Sequence, residues 1–196
     1  DAKLYVIATE GQKTERDYFA IFQTQRLHIE VLSTGAEDPR SSQAGQSDPQ
    51  HVLRRLEEVK AAYNLNDEDE LWLMVDVDSW KTWVLSEVCR EAKRQGFRLA
   101  VSNPCFELWL ALHFQDADAN DSDGHALKQK LRKLGGSNQK NKLKLTAYNR
   151  QNIEAAVQRA QALDNKPEEN CPSFPGTHVY KIVKALLPRM PFDFPS

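Results

Sequence analysis

Four short apolar runs, separated by segments of helical periodicity, constrain the fold of this chain more than any other feature. The runs are typical of buried β-strands and lie at Leu4–Ala8, His28–Leu32, Leu71–Val75 and Phe97–Val101. Strands that alternate with helices are joined by right-handed crossovers and pair into a parallel sheet. The sequence therefore predicts an α/β fold with a four-stranded, mainly parallel sheet flanked by helices.

Helical patterns fill the intervals between these strands. Thr14 and Asp17 resemble a capping box that starts a helix through about Arg26. A polar loop is expected over residues 33–47, and Asp48 is the expected N-cap of the helix that follows it. A further helix is expected over residues 80–95 and ends at Gly96.

The pattern after residue 115 is helical only, with helices predicted over residues 123–134, 149–163 and 178–187. We therefore expect a core over residues 1–115 and a helical C-terminal region over residues 116–196 that packs on it.

Composition narrows the class of protein. The 196 residues are 40% hydrophobic and 28% charged, which is usual for a soluble globular protein. The three cysteines show no CxxC spacing, which argues against a disulfide framework or a zinc site. No apolar run approaches the roughly 18 residues that span a bilayer. We expect a cytoplasmic protein with no membrane association.

Three carboxylates follow two of the predicted strands. Glu10 follows the first strand, and Asp76 and Asp78 follow the third. The carboxyl ends of parallel strands meet at one edge of a sheet, where ligands bind. Oxygen ligands of this kind suit Mg²⁺ or Mn²⁺, which also bind substrate phosphates. The pattern indicates metal-dependent phosphodiester chemistry.

The aspartate pair has other readings. Haloacid-dehalogenase phosphatases use such a pair, but theirs follows the first strand and continues to threonine or valine, whereas Ser79 and Trp80 follow here. Sugar-nucleotide transferases also use a pair of this kind, without other support in this chain. Asp78 or Ser79 could also be the N-cap of the next helix.

Glu15 and Glu107 are weaker candidates for the same site. Each lies near the start of a predicted helix, where the helix dipole favours a carboxylate without any catalytic role. Glu10 differs from them because glutamate is a poor strand residue, and Gly11 beside it permits a tight turn close to a ligand.

The segment from Gly124 to Ile153 contains eight basic residues and no acidic one, although the chain as a whole has a net charge of −2. Such segregation is typical of a surface that binds a phosphate backbone, and equally of a solvated surface. Lys140, Lys142 and Lys144 alternate in a polar break, and we predict that they contact nucleic acid.

Aromatic residues and one histidine are expected in the core. The tryptophans at 72, 80, 83 and 109 are more typical of core residues than of base-stacking platforms. His113 shares an apolar stripe with Trp109, which favours a buried histidine over a catalytic base.

Two longer motifs resemble a known family. Residues Thr9–Phe19 and Ser102–Phe114 resemble the RloB-like family, as does Pro175-Gly176-Thr177 before the final helix. The glutamate after the first strand and the later aspartate pair resemble, more broadly, the Toprim fold of topoisomerases, primases and overcoming-lysogenization-defect nucleases.

The resemblance implies a Toprim-like nuclease domain encoded beside restriction or phage-defence genes, often with a partner ATPase. It implies that Glu10, Asp76 and Asp78 hold one or two divalent cations, with Glu15 as an extra ligand. The chain has no segment that fits the DNA-gate or zinc modules of topoisomerases and primases.

We therefore expect a metal-dependent endonuclease with catalytic residues Glu10, Asp76, Asp78 and Glu107, acting on DNA or RNA. A non-catalytic sensor or docking subunit that binds an ATPase partner is the main alternative. Phosphotransfer to a small molecule is a third, and the missing threonine after the aspartate pair argues against it.

Overall fold

The computed structural model describes residues 3–11, 13–33, 49–191 and 194, and it has the mixed α/β fold that the sequence predicts. The described part contains five strands: β1 (Lys3–Thr9), β2 (Leu27–Ser33), β3 (Glu70–Asp76), β4 (Arg98–Asn103) and β5 (Gly176–Thr177). It also contains seven α-helices: α1 (Thr14–Phe19), α2 (Pro49–Ala62), α3 (Thr82–Arg94), α4 (Phe106–Ala111), α5 (Gly124–Lys133), α6 (Arg150–Leu163) and α7 (Val179–Leu186). The loop predicted over residues 33–47 begins one residue later, because Ser33 ends β2. Its residues 34–47, the predicted N-cap Asp48 and Gln12 of the first motif lie outside the described residues.

The strands form one sheet in the order β2-β1-β3-β4-β5. Strand β1 pairs in parallel with β2 on one side and with β3 on the other. The chain therefore leaves β1 toward one edge and returns to pair on its opposite side, so the strand order reverses between β1 and β3. Ligands of open α/β sheets bind outside the carboxyl ends of the strands at such a position.

Strand β5 is the difference from the predicted four-stranded sheet. It is only two residues long and pairs antiparallel with β4, with Thr177 opposite Ser102 and Gly176 opposite Asn103. The hydroxyls of Ser102 and Thr177 lie 2.8 Å apart and are buried. A Cβ at Gly176 would lie 2.6 Å from the carbonyl oxygen of Ser173, so this turn requires glycine. Two residues are too few to produce a periodic sequence signal.

Helix α1 is shorter than predicted, and the expected capping box is wrong. The helix ends at Phe19 and is followed by a short 3₁₀ turn, while its N-cap is Lys13 without a side-chain cap bond. Gln23 is extended, and its side chain accepts a hydrogen bond of 3.0 Å from the backbone N–H of Ile29 in β2. That bond commits the chain to the strand instead of another helical turn.

The chain forms two compact units. Unit 1 comprises Asp1–Val75 with Trp80–Leu99, and unit 2 comprises Asp76–Ser79 with Ala100–Ser196. The predicted division into a core over residues 1–115 and a helical region over residues 116–196 stays a prediction. No helix in the described part has the length and apolarity needed to cross a bilayer.

Each unit has its own apolar core. In unit 1 the inner residues of β1 are buried, and the rings of Tyr18, Phe19 and Phe22 are fully buried and contact one another. In unit 2 the buried Trp109 of α4 is accompanied by apolar side chains of α5, α6 and α7. The predictions of α5, α6 and α7 are confirmed, and Asp123 and Asn149 cap α5 and α6 with their side chains.

Candidate active site

The segment with the two aspartates is held in place by backbone hydrogen bonds within unit 2. Asp76 is the last residue of β3. The N–H of Val77 donates to the carbonyl oxygen of Ser102 at 2.9 Å, and the N–H of Asp78 donates to that of Pro104 at 3.1 Å. The aspartates are therefore fixed beside the turn that connects β4 to α4.

Neither aspartate serves as a helix cap. The N-cap of α3 is Lys81, and no side chain makes a cap bond there. The hydroxyl of Ser79 donates instead to Oδ1 of Asp78 at 3.1 Å. The structure thus contradicts the alternative in which Asp78 or Ser79 is the N-cap of the next helix. Helix capping therefore does not explain why these residues are present.

Three carboxylates act on one buried thiol. Cys105, the N-cap residue of α4, is 3% exposed. Burial raises the pKa of its thiol, and the negative charges of Glu107, Asp76 and Asp78 raise it further. The thiol therefore stays protonated, and the charges of all three acidic side chains reach it.

Glu107 is paired with a lysine. The ammonium Nζ of Lys128 on α5 lies 3.3 Å from Oε1 of Glu107, whose side chain is only 14% exposed. Partial burial is the largest cause of the raised pKa of Asp78, and the charge of Glu107 adds to it, while Ser79 and Lys128 act in the opposite direction. The site therefore contains its own positive charge.

The ligand atoms of this site suit a metal ion, but the described side chains that carry them are not arranged as a complete metal site. Carboxylate oxygens are the ligands that Mg²⁺ and Mn²⁺ prefer. Over the part of the chain that the structure describes, however, no three His, Cys, Asp or Glu side chains are grouped so that they could hold a metal ion. The donor set suits a hard divalent cation, but its side chains are not gathered around one point.

The glutamates of the first motif lie in unit 1. Glu10 follows β1, and the N–H of Gly11 donates to Oγ1 of Thr9 at 3.2 Å. Glu15 lies in the first turn of α1 and is 9% exposed. A Cβ at Gly11 would overlap with the Glu15 carboxylate, so glycine leaves the space that this carboxylate occupies.

The basic residues of the segment Gly124–Ile153 fall into two groups, those that form ion pairs and those that form none with a described residue. Three of its basic residues form ion pairs with acidic side chains: Lys128 with Glu107, Lys130 with Asp118 and Asp121, and Arg150 with Glu154. Lys140, Lys142 and Lys144 are exposed and form no ion pair with a described residue. Lys140 and Lys142 lie in a short turn closed by an isolated β-bridge between Ser137 and Leu143, and Lys144 directly follows that bridge.

The expectations for the aromatic residues are met in part. His113 is buried, its Nδ1 lies 3.0 Å from the carbonyl oxygen of Trp109, and burial lowers its pKa to about 3. It is a core histidine. Trp72 and Trp109 are buried, whereas Trp83 is 65% exposed, so its expected core position is wrong. It lies in the first turn of α3, on the side of that helix facing solvent.

Sequence reasoning missed Lys128 and Cys105 as members of the site. Lys128 belongs to the basic segment over Gly124–Ile153, and no local sequence pattern predicts its pairing with Glu107. Cys105 lies inside the second motif, so its position next to the aspartates follows from the backbone bonds of Val77 and Asp78.

These observations define an α/β protein with acidic side chains at strand ends and a separate exposed group of lysines. The family profile of RloB-like proteins matches residues 5–186, and the chain belongs to this family. No curated protein and no solved structure matches it significantly.

Proposed function

We propose that this protein is a metal-dependent endonuclease that cleaves phosphodiester bonds of DNA or RNA in antiphage defence. The observation that supports it most is the parallel pairing of β1 with β3, in which Thr9 lies opposite Met74, where the strand order reverses. Glu10 follows the first of these strands and Asp76 ends the second. Such positions are where open α/β sheets bind ligands.

In this proposal Glu10, Asp76 and Asp78 hold Mg²⁺ or Mn²⁺, with Glu15 as a further ligand. When bound, such a cation stabilises the negative charge that develops on the phosphate. Glu10 would accept the proton of the attacking water. Glu107 pairs with Lys128, whose charge also acts on Asp78.

The exposed lysines bind the substrate backbone in this proposal. Lys140, Lys142 and Lys144 do not have to give up an acidic partner among the described residues before they meet a phosphate. Each contact releases condensed counterions from the nucleic acid, which makes the affinity fall as salt rises. Binding and cleavage thus depend on different residues and can be lost separately.

One observation favours a second candidate, a non-catalytic sensor or docking subunit. The described side chains do not gather three metal ligands, and Glu107 is engaged by Lys128. A subunit that only transmits a signal to a co-encoded ATPase would have no need of an assembled site. A nuclease that stays silent until its partner is triggered would look the same, so the two are separated by activity of the complex.

The test is cleavage of single- and double-stranded DNA and RNA in Mg²⁺ or Mn²⁺, with and without the co-encoded ATPase. Asp76→Asn is expected to abolish cleavage, because asparagine keeps the size of the side chain but loses the charge that attracts the cation. Asp67→Asn is the matched control, since Asp67 is an exposed aspartate of the turn before β3, and it should cleave like the wild type.

Two results would contradict the proposal. Metal-dependent cleavage that survives in both Asp76→Asn and Glu10→Gln would remove these carboxylates from the chemistry. A complex that stays inert with every nucleic acid and nucleotide trigger would favour the sensor instead.

A further inference from the structure

Lys128 differs from the other lysines of its helix. Within α5, Lys130 is engaged by Asp118 and Asp121, and Lys133 is exposed without an ion pair to a described residue. Lys128 alone among the three pairs with Glu107, at 3.3 Å. Its charge also acts on Asp78, so two acidic side chains of the candidate site share one ammonium group.

The electrostatics of this arrangement favour a cation at the carboxylates. Glu107 and Asp78 repel each other, and the side chain of Glu107 is largely removed from solvent. An ammonium group offsets that repulsion, as a divalent cation would. The ammonium group of Lys128 and a divalent cation would also repel each other, because both are positively charged and are attracted to the same carboxylate oxygens.

We infer that Lys128 is the resident counter-ion of Glu107 and Asp78 and competes with the divalent cation for these carboxylates. The inference rests on the proposed function. A divalent cation held by these carboxylates would displace the ammonium group, which would then be available to a substrate phosphate.

The competition has a measurable sign. Removing the ammonium group removes a repulsion on the divalent cation, so Lys128→Gln should bind Mn²⁺ about 3- to 10-fold more tightly than the wild type. The same variant should cleave nucleic acid more slowly, because it lacks the ammonium group that would contact the substrate phosphate. A lysine with a merely structural role would weaken both properties together.

The experiment is a calorimetric titration of the full chain with Mn²⁺ alone, at low salt, for the wild type, Lys128→Gln and Lys133→Gln. Lys133→Gln removes the same charge from the same helix without touching Glu107, and its affinity should stay within about twofold of the wild type. Urea unfolding of each variant confirms that the protein titrated is folded.

The outcomes separate this inference from the proposed function. Tighter Mn²⁺ binding by Lys128→Gln alone supports the inference, even if the wild type binds no Mn²⁺ at all. Equal or weaker binding by that variant overturns it and leaves the nuclease proposal intact as long as the wild type binds Mn²⁺ through Asp76. Equal tightening in both variants also overturns it, because net charge would then be the cause. No binding by any variant overturns both.

Discussion

Helix α5 and the turn that follows it carry the same kind of residue in opposite states. In α5, Lys130 lies 2.7 Å from the nearly buried carboxylate of Asp121, and its own side chain is 15% exposed. In the turn, Lys140, Lys142 and Lys144 are exposed and form no ion pair with a described residue. One group of lysines stabilises the fold, and the other is available to a ligand.

The difference teaches that a run of positive charge is not a measure of binding capacity. Acidic residues that precede the segment in sequence neutralise part of it in the structure, so fewer charges can meet a phosphate than the sequence contains. The turn is also held firmly for a surface segment. The side-chain Oδ1 of Asn138 accepts hydrogen bonds from the N–H groups of Lys140 and Lys142, at 2.8 and 3.1 Å.

The largest effect is expected for Lys130→Met, which should lower the free energy of unfolding by about 3 kcal/mol. The change leaves the buried Asp121 carboxylate without its lysine, and breaking a buried pair is costly. Urea denaturation measures it, with Lys133→Met as the control within about 0.5 kcal/mol of the wild type. The double variant Lys130→Met with Asp121→Asn should recover part of the loss. A neutral Lys130→Met would erase the distinction between the two groups of lysines.

His113 gives the next effect, because its ring packs against Tyr148, which holds the turn. Burial lowers the pKa of His113 to about 3 from 6.5, so the unfolded chain takes up this proton at higher pH than the folded protein. Its contribution to stability is complete above pH 6.5 and is lost as the pH falls toward 3, with a slope of at most about 1.4 kcal/mol per pH unit.

The measurement is urea unfolding between pH 7 and pH 4.5. His113→Gln should show a shallower loss of stability than the wild type, whatever its absolute stability, whereas the exposed His125→Gln should keep the wild-type slope. Parallel curves for the wild type and His113→Gln would mean that the base of the turn admits water.

A smaller loss is expected for Tyr148→Phe. The buried hydroxyl of Tyr148 donates to the carbonyl oxygen of Gly136 at 3.1 Å, at the start of the turn. Removing it leaves a buried carbonyl without this donor and should cost about 1–2 kcal/mol. Thermal unfolding detects the change, and Tyr63→Phe, at an exposed tyrosine, should have no effect. Equal melting temperatures for Tyr148→Phe and the wild type would show that the turn is held by its backbone alone.

The smallest effect on stability is expected for the three exposed lysines of the turn, whose replacement should instead change nucleic-acid binding. Replacing Lys140, Lys142 and Lys144 together by glutamine should change the free energy of unfolding by less than about 0.5 kcal/mol. It should weaken nucleic-acid binding and flatten the dependence of log K on log salt by up to about 0.7–0.9 per lost contact. An unchanged slope in a folded variant would assign these lysines to another surface role.

Much of the fold was predictable because its signals are local. Periodic apolar residues identified four strands and most helices, and Gly96, with a positive φ of 85°, ends α3 where the sequence places the stop. The positions of Glu10, Asp76 and Asp78 at strand ends were predictable for the same reason. Their use in binding a metal stays a prediction.

The sequence alone determined the alternation of strands and helices and the positions of the acidic residues along it, since both depend on neighbours within a few residues. Only the tertiary structure decided that Trp83 is exposed, that Gly176 and Thr177 extend the sheet, and which lysines are paired. Ion pairs such as Lys128 with Glu107 join residues on different helices, so their formation depends on packing that brings those helices together. No local sequence pattern around either residue predicts this ion pair.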